Sequence, residues 1–124
     1  MNSDFILLNK TYQTNDFISK MIVNFPNKAK VMKDYLETNL YKMVENLFAF
    51  NINETNRVRE KYLKDYIVNL SMINYLMHEA FLKKYISYKQ SVKVAKVLIE
   101  LKKMATTILK GYDNDKVWWY TRLL

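Results

Sequence analysis

One glycine, Gly111, and one proline, Pro26, are all the turn-forming punctuation in a chain of 124 residues. Hairpin-rich sheets need such residues at nearly every reversal, so their scarcity excludes those architectures. What lies between is apolar at helical period, three, four and seven residues apart. The chain therefore reads as all-α, an antiparallel four-helix bundle in one domain, long enough to bury its own core.

The first helix is expected over 11–25, with Phe17, Ile18, Met21, Ile22 and Phe25 inward. Pro26 disfavours helical geometry at Phe25 and suits the first turn of a second helix over 27–50. That helix turns Ala29, Met32, Leu36, Met43, Leu47 and Phe50 to the core, with Leu40, Val44 and Phe48 beside them. Asn51, Asn53, Glu54, Thr55 and Asn56 form a polar loop whose side chains favour turns and caps, and its shortness implies antiparallel neighbours. A third helix over 55–85 carries two apolar stripes, one through Leu63, Tyr66, Leu70, Ile73, Met77 and Ala80. Its second stripe, Val68, Met72, Tyr75, Leu76 and Leu82, exceeds what one neighbouring layer covers, so Met72, Tyr75, Leu76 and Leu82 are the expected subunit interface. A fourth helix over 88–111 begins after Ser87, an N-cap, and ends at Gly111. The tail, 113–124, holds Trp118, Trp119 and Tyr120, which either pack on the bundle or hold a partner.

Cysteine is absent, so neither disulfides nor thiolate zinc sites are available, and a reducing cytoplasm is the expected setting. The apolar run Phe5 to Leu8 is too brief for a signal peptide or a membrane span. No nucleophile with a base, no metal-ligand cluster and no glycine-rich phosphate loop occurs at a recognisable spacing. The expectation is a protein without catalytic activity, cofactor or metal. The lone histidine, His78, falls in line with Ser71, Asn74 and Tyr85, which reads as an interior polar seam.

Charge is the remaining signal. Twenty Lys and Arg against twelve Asp and Glu leave a formal +8, which draws a protein toward polyanions. Lys89, Lys93, Lys96, Lys103 and Lys110 share one face of the fourth helix, and only Glu100 and Thr107 interrupt it. A single outward lysine ordinarily does no more than solvate a surface. A row of five is a candidate phosphate track that positions nucleic acid without reading its sequence. Arg57, Arg59, Lys61 and Lys64 open the third helix, and Lys28, Lys30 and Lys33 open the second. Cations there oppose the helix dipole, so helix stability does not account for them and they join the candidate contacts.

The order of parts resembles a known family. The residues that carry the likeness are Phe25-Pro26-Asn27-Lys28 between the first two helices, Ser87-Tyr88-Lys89-Gln90, the run Val97 to Met104, and Leu109-Lys110-Gly111-Tyr112. They resemble the four-helix-bundle family of the accessory variability determinant (Avd) proteins of diversity-generating retroelements and the proteins encoded in 23S rRNA intervening sequences. The stretch Val44 to Asn51 lacks the glycine typical of the intervening-sequence branch, which favours the Avd branch. That resemblance implies a basic homopentamer that binds RNA or DNA and partners a reverse transcriptase in mutagenic copying of template RNA. The alternative is a structural or protein-interaction oligomer, similar to the intervening-sequence proteins, without a nucleic-acid function. A membrane-surface role is weaker, because the apolar stripes are needed by the core.

Overall fold

The computed structural model describes residues 3–113. Its elements are α1 (Ser3–Ile22), a 3-10 turn (Asn27–Ala29), α2 (Lys30–Ile52), α3 (Asn56–Leu82) and α4 (Tyr88–Asp113). Each helix packs on its chain neighbours and α4 closes on α1, so α1 and α3, like α2 and α4, occupy opposite corners of an antiparallel four-helix bundle.

The inward stripes meet along the bundle axis. Ile18, Leu36, Met43, Phe50, Leu63, Tyr66 and Ile73 are completely buried there. The periodic residues of all four helices supply this core, as their spacing requires.

Several boundaries differ from the sequence reading. The first helix begins at Ser3, not near residue 11, because Leu7 is a fully buried core residue and its burial extends α1 by two turns. It ends at Ile22, and Phe25 packs on Tyr85 with ring centroids 5.6 Å apart. The third helix stops at Leu82, three residues early, in a motif of two linked backbone bonds. Tyr85 N–H reaches the Ala80 carbonyl at 2.8 Å and Lys84 N–H the Phe81 carbonyl at 2.9 Å, with Lys84 left-handed at φ 64°. Both bonds satisfy carbonyls that the helix end would orphan. Gly111 does not end the fourth helix, which continues through it to Asp113, with no positive φ at the glycine. Aromatic packing of Tyr112 on Phe50, centroids 6.2 Å apart, holds that last turn. The tail aromatics Trp118, Trp119 and Tyr120 lie outside the described residues.

Ser87 is the expected N-cap of α4, and the cap is reciprocal: Gln90 N–H donates to Ser87 Oγ at 3.1 Å and Ser87 N–H to Gln90 Oε1 at 2.9 Å. Among the described residues no helix is long and apolar enough to cross a membrane.

Candidate nucleic-acid interface

The fourth helix presents its core seam, Val94, Leu98, Leu101 and Ala105, to α1 and α3. Nearly half a turn away stand Lys89, Lys93, Lys96, Lys103 and Lys110, all exposed. None has an ion-pair partner among the described residues; the carboxylate within the stripe, Glu100, is taken by Lys10 of α1. At about 1.5 Å per residue the stripe spans ~32 Å. Ammonium groups so spaced form a continuous positive ridge rather than a point site.

The cluster at the start of α3 has a different fate. Arg59 is only 17% exposed and its guanidinium is committed to the protein. Nε donates to the Tyr112 hydroxyl at 2.8 Å, Nη1 to the carbonyls of Phe50 at 2.8 Å and Asn53 at 3.1 Å, and Nη2 to Asp4 at 2.9 Å. The guanidinium also lies 4.1 Å from the centre of the Phe50 ring. Burial pulls its pKa down, but the Tyr112 hydroxyl and the Asp4 carboxylate outweigh burial and raise it. Arg59 thus ties all four helices at one end of the bundle, and its guanidinium nitrogens are engaged within the chain. Its reason for opening α3 is the end of α2, whose terminal carbonyls form the negative pole of that helix and take a cation.

Lys61 pairs with Asp65 at 3.0 Å and Lys64 with Glu60 at 3.3 Å, both one turn along the same helix. Arg57 is exposed and without an ion-pair partner among the described residues. In the third cluster Lys30 pairs with Asp34 at 2.8 Å, Lys33 is half-buried, and Lys28 is exposed in the 3-10 turn. The fold does not gather the clusters into one patch. Arg57 to Lys64 lie at the end where Arg59 meets Asp4 and Tyr112. Lys28 to Lys33 lie at the opposite end, where Phe25 meets Tyr85, and α2 sits diagonally from α4. The α4 ridge alone runs from one end to the other.

The expected interface residues divide likewise. Val68, Tyr75 and Leu82, seven residues apart, point straight outward and are 65%, 56% and 59% exposed. Leu76 is buried in the core and Met72 is packed against it, so these two serve the protomer itself.

His78 is not in an interior seam. Ser71, Asn74 and His78 lie ~100° round α3 from its core stripe, which places them, exposed, along a groove between α3 and α4. The polar groups inside the bundle are others. Asn46 donates to Asn69 at 2.7 Å and Asn69 to Asn39 at 3.1 Å, linking α2 to α3. The Thr11 hydroxyl donates to the Leu7 carbonyl at 2.8 Å and accepts from the Tyr66 hydroxyl, 2.7 Å away. Burial raises the Tyr66 pKa well above its ordinary value. No cluster of three or more His, Cys, Asp or Glu that could hold a metal occurs among the described residues.

One group beside the α4 ridge escaped the sequence reading: Lys83 and Lys84, together with Tyr88, in the turn before Lys89. The signal for it was present as alternation of basic and aromatic residues, Lys83-Lys84-Tyr85 and then Tyr88-Lys89.

The architecture is similar to that in a crystal structure of a protein of unknown function from the S23 ribosomal protein family of Bacteroides thetaiotaomicron VPI-5482. The TM-score is 0.78 at 14% identity, over 88% of this chain and 99% of that one. The sequence matches no protein-family model and no curated protein. At this identity the likeness is one of fold.

Proposed function

We propose that this protein is a noncatalytic nucleic-acid-binding scaffold that holds phosphate backbone along the outer ridge of α4. The observation that carries the reading is the state of Lys89, Lys93, Lys96, Lys103 and Lys110: exposed, aligned, and without ion pairs among the described residues. Cations with internal partners are already neutralised; these keep their charge for a polyanion and release counterions on binding. Contacts of this kind take RNA or DNA with little sequence preference. The sequence resemblance extends the role to an accessory subunit of a diversity-generating retroelement, a homopentamer that partners a reverse transcriptase during copying of template RNA. Self-association is supported by the outward apolar row Val68, Tyr75 and Leu82.

That row also favours a second reading, a protein-interaction oligomer with no nucleic-acid role. Fluorescence anisotropy with a structured RNA and a duplex DNA, titrated across salt, separates the two. The scaffold reading expects both to bind, with affinity falling steeply as salt rises; no binding to either at low salt leaves the second reading. Sedimentation of the chain and of a Tyr75→Glu, Leu82→Glu variant tests self-association, which the variant is expected to abolish.

A further inference from the structure

We infer that Tyr88 is a stacking platform for an unpaired nucleobase, with Lys84 and Lys89 placed to hold the phosphates on either side. This inference rests on the nucleic-acid reading of α4 and adds to it a preference for single strands.

Tyr88 is the first residue of α4 and is 72% exposed, although it belongs to an aromatic row. Its ring lies 6.1 Å from that of Phe81, tilted by 59°, and Phe81 lies 6.4 Å from His78 at 34°. The row braces Tyr88 from within while leaving most of its ring in water. Beside it is an open hollow of about 660 Å³ bounded by Phe81, Lys84, Tyr85, Ser87 and Tyr88, with mostly apolar walls. Nothing from the described chain fills it.

The charges around this platform fit one occupant. Lys84 and Lys89 are exposed, neither has an ion-pair partner among the described residues, and Lys89 begins the α4 ridge. Lys84 occupies the left-handed position that ends α3, φ 64°, where glycine is the usual residue. A lysine there keeps a cation at the rim of the hollow. An apolar aromatic surface with Lys84 at its rim and Lys89 next in the chain matches a base flanked by phosphates: the ring stacks on the base, and the ammonium groups meet the backbone. In a duplex the base faces are already stacked on one another, so duplexes gain from the lysine ridge but not from Tyr88.

The test compares Tyr88→Ala and Tyr88→Trp with the unaltered chain. Each is titrated with a single-stranded oligonucleotide carrying 2-aminopurine and with a duplex of the same sequence, and circular dichroism checks helix content. Tyr88→Ala is expected to weaken single-strand binding about ten-fold, the scale of one lost base–aromatic stack, and to abolish 2-aminopurine quenching. Tyr88→Trp should restore both, and duplex affinity and its salt slope should not move. Equal weakening of both ligands, or no change in either, overturns the platform while the ridge stands. If the unaltered chain binds neither ligand, the ridge and the platform fall together.

Discussion

Helices α3 and α4 are adjacent and nearly equal in length, 27 and 26 residues, and both are rich in basic side chains, yet they use their polar groups in opposite ways. Several of those on α3 are turned to internal use: Arg59 into a four-helix clamp, Lys61 and Lys64 into pairs one turn away, Tyr66 and Asn69 into buried bonds, while Arg57, Ser71, Asn74 and His78 stay exposed. The lysine row of α4 is left to solvent, with Glu100, the carboxylate amid it, engaged by α1. The difference teaches that a charged residue's availability depends on what lies opposite it, not on how many like it are near in sequence.

Replacing Arg59 should break this contrast most forcefully. Arg59→Met leaves Asp4 and two carbonyls without their partner in a mostly buried site, and should destabilise the protein by about 3 kcal/mol in urea unfolding. Nucleic-acid affinity of the folded variant should be unchanged. A variant of full stability and reduced affinity would place Arg59 with the ridge and erase the distinction.

Neutralising Lys89, Lys93 and Lys96 together as glutamine is the converse. Affinity should fall about 10- to 100-fold at physiological salt, and the slope of log K against log salt should shrink by about 2 to 3. The unfolding midpoint should stay within the range that about 0.5 kcal/mol allows. Unaltered affinity would reduce the row to a solvated surface.

The buried hydroxyl of Tyr66 gives α3 a pH signature. Its pKa lies above the ordinary 10.0 in the folded chain, chiefly through burial. The unfolded chain therefore loses the phenol proton first as pH rises past 10, and unfolding becomes more favourable by up to about 1.4 kcal/mol per pH unit. Tyr66→Phe should flatten the loss measured by unfolding between pH 9 and about 11. An unchanged slope would mean the hydroxyl titrates as in water.

Lys61→Gln carries the smallest effect. Its pair with Asp65 is exposed and screened by solvent, so the unfolding midpoint should scarcely move. Loss of affinity comparable with one ridge lysine would move Lys61 to the α4 side of the comparison.

Much of the fold was legible in the sequence because helical period is a local property. Leu63, Tyr66, Leu70, Ile73, Met77 and Ala80 were read as one stripe and all six are buried. Ser87 was read as the N-cap of α4, and its hydroxyl accepts from Gln90 N–H. Misreadings came where a contact crosses between helices. Leu7 starts α1 early because the core receives it; Gly111 fails to stop α4 because Tyr112 packs on Phe50. His78 lies on a groove rim because its line of residues falls just outside the arc that α4 covers.

The sequence alone determined that the chain is helical, where its apolar stripes run, and that α4 carries an aligned row of lysines, since each follows from spacings within one segment. Only the tertiary structure decided which cations remain free. Ion pairs and hydrogen bonds act over about 3 Å between atoms, and residues as distant in sequence as Asp4, Phe50, Arg59 and Tyr112 come within that range only once the four helices have packed.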